Sequence, residues 1–97
     1  MKLKFISPSE YELQDAFTYY EEKEVGLGDS FLEELNSTIK LILDYPEMWR
    51  KVGKRTRRAL LKIYPYLILY ICEGETIYIT CVAHQNRDPE YYADRIV

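Results

Sequence analysis

Tyr66-Leu67-Ile68-Leu69-Tyr70-Ile71-Cys72 and Thr76-Ile77-Tyr78-Ile79-Thr80-Cys81-Val82-Ala83-His84, separated by Glu73-Gly74-Glu75, decide the fold. Both runs are rich in β-branched and aromatic residues, which suit a pleated surface, and the glycine-centred triplet between them is a tight connection. They read as an antiparallel hairpin. Upstream, Thr56 to Ile63 alternates, with Ala59, Leu61 and Ile63 on one face and Arg58 and Lys62 on the other, and Tyr64-Pro65-Tyr66 joins it to the hairpin. Three antiparallel strands therefore run into a compact polar cluster, His84-Gln85-Asn86-Arg87-Asp88-Pro89.

A turn at Gly74 leaves Cys72 and Cys81 about four residues out of register, on the order of 13 Å at ~3.3 Å per residue, too far apart for a disulfide. Two reduced thiols are expected, as in a reducing compartment.

The rest of the chain reads as a cover for this sheet. Lys2 to Ile6 alternates and can add an edge strand. Ser7-Pro8-Ser9-Glu10 supplies a helix start, with a serine able to cap free amides. Leu13, Ala16, Phe17 and Tyr20 then mark one helical face, opposite Glu12, Asp15, Glu21 and Glu22. Gly26-Leu27-Gly28 interrupts that helix, and Asp29 or Ser30 is the expected cap of the next. Phe31, Leu35, Thr38, Ile39, Ile42 and Leu43 line the second apolar face until Tyr45-Pro46 ends it. Two amphipathic helices joined this closely form an antiparallel hairpin. Periodicity vanishes from Glu47 to Arg55, which reads as a cationic loop, and Glu90 to Val97 reads as one or two helical turns.

Ninety-seven residues support one domain with one core, spanning residues 1–97. No apolar run reaches the ~18 residues of a membrane span, and the N-terminus is too soon polar for a signal peptide, so no membrane association and a cytoplasmic location are expected. The net charge of −3 hides a segregation. Residues 1–47 carry four lysines against eleven acids, a net of −7, while residues 48–72 carry seven cations and no acid, a net of +7. The remainder is −3. A basic patch on an acidic molecule keeps an anionic partner in play.

Few chemistries fit these residues. One histidine and two misaligned cysteines fall short of a metal site, and Gly26 and Gly28 lie between helices instead of forming a phosphate loop after a strand, so no metal and no cofactor are expected. Cys81 and His84 are three apart on a strand and point to opposite faces. What remains is the cationic stretch, with Lys54, Arg55, Arg57 and Lys62 as candidate nucleic-acid or target-binding residues, beside Arg58, His84, Arg87 and Tyr91. A metal-free ribonuclease can be built from such parts, with cations stabilising charge on phosphate, a Tyr or His moving the 2′-hydroxyl proton and aromatics stacking bases. The competing structural reading has Arg87 and Asp88 pairing with each other or with backbone to pin the final turn.

The order strand, helix, helix, three strands, with Tyr19-Tyr20-Glu21-Glu22, Leu27-Gly28-Asp29-Ser30-Phe31, Tyr64-Pro65-Tyr66-Leu67-Ile68-Leu69-Tyr70 and Val82-Ala83-His84-Gln85-Asn86-Arg87-Asp88-Pro89, resembles the RelE/ParE superfamily of bacterial type II toxin-antitoxin systems, in its ParE-like, plasmid-stabilisation branch. The resemblance spans nearly the whole chain. It implies an α+β fold: an N-terminal strand, an antiparallel helical hairpin on a mainly antiparallel sheet of about four strands, and a short C-terminal helical segment. It implies a growth-inhibiting toxin neutralised by a cognate antitoxin, and it leaves two targets, messenger RNA in the ribosome for RelE-like members and DNA gyrase for ParE-like ones.

The RelE pattern places Tyr91 at a functional tyrosine and Arg58 at one of the strand lysines. Leu60, Leu67 and Gln85 stand where that pattern carries cations, and Arg87 matches a position shared by members that are not nucleases. Losing three cations from an electrostatic site removes several kcal/mol of transition-state stabilisation, at about 3 kcal/mol for one well-placed donor. The acidic total also suits RNA poorly. A non-enzymatic toxin that binds a protein target is therefore the leading expectation. The alternatives are an endoribonuclease with a reduced site at Arg58, Lys62, His84, Arg87 and Tyr91, and a non-toxic partner of an antitoxin. The antitoxin is expected on the apolar surfaces around the helical hairpin or at a sheet edge, with an acidic segment suited to the basic face. Homodimer and toxin-antitoxin hetero-oligomer both remain open.

Overall fold

The computed structural model describes residues 1–97. Strand β1 (Lys2–Phe5) precedes helices α1 (Ser9–Lys23) and α2 (Leu27–Asp44), and strands β2 (Arg50–Lys51), β3 (Thr56–Leu60), β4 (Tyr66–Glu73) and β5 (Thr76–His84) follow. Two 3₁₀ turns, Pro89–Tyr91 and Ala93–Arg95, close the chain. The sheet order is β1-β5-β4-β3-β2, with β1 parallel to β5 and every other pair antiparallel. The expected α+β architecture is present with one strand more than expected. Arg50 and Lys51 pair with Arg58 and Arg57 inside the stretch read as a loop. Two residues are too few to show alternation, and the pairing comes from β3.

The β4–β5 hairpin turns at Gly74, with Glu73 opposite Thr76 and Cys72 opposite Ile77, so the two thiols are unpaired as expected. One irregularity breaks its regularity. Leu69 faces Cys81 and Tyr70 faces Ile79, which leaves Thr80 as a surplus residue, a β-bulge. Before it, Ile77 and Ile79 face the helices; after it, Val82 does so while Cys81 and Ala83 face the other side.

Two apolar clusters follow from this alternation. The larger packs Ala16 and Tyr20 of α1 and Phe31, Leu35, Ile39 and Ile42 of α2 onto Ala59, Ile68, Tyr70, Ile77, Ile79 and Val82. On the opposite face, Leu67, Leu69, Cys81, Ala83 and Tyr92 form a smaller cluster that the C-terminal turns cover with Ile96. Burial pushes the Cys81 thiol up to about 12, which keeps it protonated.

The helix starts differ from expectation. Neither serine caps α1 with its side chain; Ser9 is buried, and its hydroxyl donates to the carbonyls of Ile6 and Ile79, tying the helix to β1 and β5. Helix α2 begins before Asp29 and Ser30, and its first amides are capped from the preceding helix: Glu21 accepts from the N–H groups of Gly26 and Gly28 at 3.0–3.1 Å. Gly26 sits at φ 92°, a left-handed conformation that a side chain disfavours. At Gly28 a Cβ would lie 2.8 Å from the Phe17 ring, so glycine permits the close approach of α1 and α2.

Strand β3 also ends sooner than its alternation suggests, at Leu60, and Ile63 is 81% exposed instead of continuing the buried face. The cause is Glu34 on α2. Its carboxylate accepts from the amides of Lys62, Ile63 and Tyr64 at 2.8–2.9 Å, folding them into a turn in place of a ladder. Burial pushes this carboxyl up, but the three amides and Lys62 outweigh it and hold the group below the usual carboxylate range. No helix is long and apolar enough to cross a membrane.

Candidate functional site

Strand β1 covers β5 only as far as Ile79, so the edge of β5 from Thr80 onward lacks a strand neighbour. Side chains take that place. Glu12, on the first turn of α1, accepts from the Val82 amide at 3.0 Å, and Arg95 Nη1 donates to the Thr80 carbonyl at 2.9 Å. Glu12 and Arg95 also join in a forked ion pair at 2.8 and 3.0 Å, with side chains only 9% and 17% exposed. Tyr91 donates its hydroxyl proton to the same carboxylate. Burial pushes Glu12 up, and its bonds to Arg95, Tyr91 and Val82 outweigh that, so the carboxyl stays below its usual range. The bond to Glu12 in turn raises the Tyr91 phenol above its usual value.

Glu12, Val82 and Tyr91 form one wall of a cleft of about 270 Å³ that is lined further by Asp15, Ala16, Tyr19, Tyr66, Ala83, His84 and Arg87, with Arg95 behind it. His84 lies edge-on to Tyr66, ring centres 5.3 Å apart, and its Nδ1 accepts from the Asn86 amide at 3.0 Å. In the neutral ring the proton is therefore on Nε2, which can donate and cannot accept. Arg87 stacks on Tyr91 at 3.7 Å and forms no ion pair with Asp88, whose carboxylate instead accepts from the Glu90 amide and starts the first C-terminal turn.

Of the residues singled out by sequence, His84, Arg87 and Tyr91 meet in this cleft, and Arg58 does not. Arg58 lies opposite Leu69, hence on the face away from the helices, with Arg50 beside it across the β2–β3 pair. Leu67, on that face, is 3% exposed beneath Tyr92, and Leu60 projects apolar surface. Gln85 bonds the Tyr66 carbonyl through its side chain. Lys54, Arg55 and Arg57 meet in a second cleft, of about 280 Å³, at the far end of α2 with Lys51, Pro46, Glu47 and Cys72. Lys62 stands apart in the turn held by Glu34. Glu12, Arg95 and Tyr66 escaped sequence reasoning. Glu12 and Arg95 are 83 residues apart and only the fold joins them.

As chemistry, the first cleft is poorly suited to phosphate. Arg95 is spent on Glu12 and Asp15 faces Arg87, so no cation is in excess there; the Tyr91 proton is committed to a carboxylate, and the histidine nitrogen that accepts a bond is already occupied. No group of His, Cys, Asp and Glu could hold a metal ion.

The model for the ParE toxin of type II toxin-antitoxin system, parDE, matches residues 4–89. The chain belongs to the ParE toxin family. No curated protein matches the sequence. Among solved structures, a chain of the chromosomal ParDE toxin-antitoxin system from P. aeruginosa is similar at TM-score 0.74 and 14% identity, over 87% of this chain and 95% of that one. The isolated E. coli RelE toxin is similar at TM-score 0.66 and 16% identity, over 99% and 98% of the two chains. This ParE family member thus shares its fold with both chains.

Proposed function

We propose that this ParE family toxin arrests growth by binding a protein target in the cytoplasm, with DNA gyrase the family-based candidate, and that a cognate antitoxin neutralises it. The observation that carries the non-enzymatic reading is the commitment of Tyr91 to Glu12 beside a sheet face where Leu60, Leu67 and Gln85 offer no positive charge. Phosphoryl transfer needs several preorganised cations around the developing charge and a free proton acceptor; here Arg87 is the one cation not taken up by a carboxylate, Tyr91 is committed and the accepting nitrogen of His84 is taken.

The antitoxin has a suitable landing place on the outer side of the helical hairpin, where Leu13, Phe17 and Leu32 line a shallow apolar groove. A helix laid in such a groove buries these side chains. The test pairs two assays on purified protein: plasmid supercoiling by gyrase, and cleavage of ribosome-bound message. Inhibited supercoiling with intact message is the expected result; cleaved message with unaffected supercoiling overturns the reading.

A ribonuclease remains the second reading because His84, Arg87 and Tyr91 converge in one cleft. It requires Tyr91→Phe or Arg87→Ala to abolish toxicity with the fold intact. If the double variant still arrests growth, this alternative is excluded.

A further inference from the structure

The cationic cleft at the end of α2 plays no part in either reading above. Its floor is the helix-side face of the sheet just past the end of α2, where Lys51 lies opposite Arg57 and Arg57 opposite Tyr70. The same register, continued, puts Arg55 level with Cys72. Its wall is the loop after α2, which is fixed in place. Tyr70 donates its hydroxyl proton to the Pro46 carbonyl, and Arg57 Nη1 donates to the carbonyls of Glu47 and Trp49 at 3.2 and 2.7 Å. Charge in the cleft is not balanced from within. Arg55 pairs with Glu73 at 2.7 Å, and Glu47 is the one acid in the lining, so four cations meet two carboxylates and two positive charges are left over. Lys51 and Lys54 are exposed and form no ion pair, although the chain is acidic overall and has carboxylates to spare. Two unpaired ammonium groups beside two anchored guanidiniums raise the local concentration of anions.

We propose that this cleft binds a compact polyphosphate, either free or as part of a nucleoside triphosphate. Its volume of about 280 Å³ lies at the lower end of ligand pockets, roughly 300–1,000 Å³, and so suits a small group. The unpaired cations are lysines, which bind phosphate as point charges on flexible stems. Two of them in one cleft, with Arg55 and Arg57 behind, match an anion that carries several charges over a short length. A single carboxylate would meet one lysine and leave the other. The positive region also ends quickly: Glu47 lies in the cleft and Glu73 on its rim, so a long polyanion, whether nucleic acid or acidic polypeptide, runs onto acidic surface. A short, dense anion stays within the positive field.

The experiment reads occupancy and not toxicity, so its outcome is separate from that of the toxin reading. Cys72 supplies the signal. Its thiol is exposed in the lining of the cleft whereas Cys81 is buried, so an uncharged disulfide reagent, dithiodipyridine, reports on Cys72, and mass spectrometry locates the product. An anion seated beside Cys72 blocks that reagent, while salt screening leaves the approach of an uncharged molecule unchanged. Inorganic triphosphate and adenosine triphosphate are titrated against the full chain at constant ionic strength. Triphosphate is expected to slow modification of Cys72 saturably, by about fivefold or more, and sulfate at the same ionic strength by less than about twofold. Lys51→Gln with Lys54→Gln, whose melting temperature certifies its fold, is expected to raise the half-saturating triphosphate concentration about tenfold. Lys2→Gln with Lys4→Gln, the same charge change on the other sheet edge, is expected to leave it within about twofold. Tighter binding of the nucleotide than of triphosphate assigns the site to nucleotides; equal or weaker binding assigns it to free polyphosphate. Absence of saturable protection by triphosphate, equal protection by sulfate, or unchanged protection in the Lys51 and Lys54 variant each overturn the proposal.

Discussion

Beside α1, Glu12, Arg95, Tyr91 and His84 are all bonded to one another or to backbone groups, whereas at the far end of α2 Lys51 and Lys54 touch no acceptor in the protein. Both places are clefts of similar volume that collect charged residues, and from sequence either could pass for a site. Their bonding separates them. Polar groups that satisfy a strand edge belong to the architecture, and removing one leaves its partner buried and unmatched. Polar groups without internal partners do little for stability and are free to meet something else.

The sharpest way to break this contrast is Arg95→Ala, which strands the Glu12 carboxylate and frees the Thr80 carbonyl. It is expected to cost about 3 kcal/mol in urea unfolding, as for other largely buried pairs that lose one member. A loss within error would mean that the first cleft is not held by its charges. Acid should reproduce part of the same effect. The folded carboxyls of Glu12 and Glu34 lie below their ordinary values, so the stability they contribute is complete above about pH 4.3 and is lost as pH falls through the folded values. Unfolding free energy is therefore expected to be level just above that pH with respect to these groups and to drop below it, and a Glu12→Gln variant should drop less steeply.

Tyr91→Phe removes one bond to Glu12 and is expected to cost about 1 kcal/mol while leaving growth arrest intact. Loss of arrest in a variant with an unchanged melting curve would favour the ribonuclease. The smallest effect belongs to the second cleft: Lys51→Gln with Lys54→Gln is expected to change stability by no more than about 0.5 kcal/mol, as for exposed residues without partners. A larger loss would show these lysines to be structural after all.

What the sequence disclosed is what repeats locally. Alternation in Tyr66–Cys72 and Thr76–His84 located the hairpin, the turn at Gly74 gave its register as far as Tyr70 and Ile79 but not past the bulge, and the spacing of Phe31, Leu35, Ile39 and Ile42 located the buried face of α2. What it hid is carried by single acidic side chains reaching across the fold. Glu12 and Glu21 fall on the polar side of α1 by periodicity and Glu34 stands out only as one acid among many, yet each binds backbone amides: two for Glu21 at the start of α2, three for Glu34 in the β3–β4 turn, one for Glu12 at the edge of β5. Helical periodicity says nothing about which amides lie within their reach. The same distance effect explains the candidate cations. Lys54, Arg55, Arg57, Arg58 and Lys62 form one charged run in sequence, but the ends of β3 and its pleat distribute them to the α2 cleft, the far face of the sheet and the next turn.

Thr80 shows how much can rest on a residue whose own side chain does little. As the unmatched member of the β4–β5 ladder, it puts the two halves of β5 out of phase. A chain shortened by that one residue would leave every later side chain facing as it does now, but a regular ladder that gave Thr80 a partner of its own would bring Val82 and His84 out on the side now taken by Cys81 and Ala83. The aromatic cleft would lose its imidazole to the apolar underside, and the cysteine would turn towards the helices. In this protein the address of the histidine is set by one unmatched position earlier on its own strand.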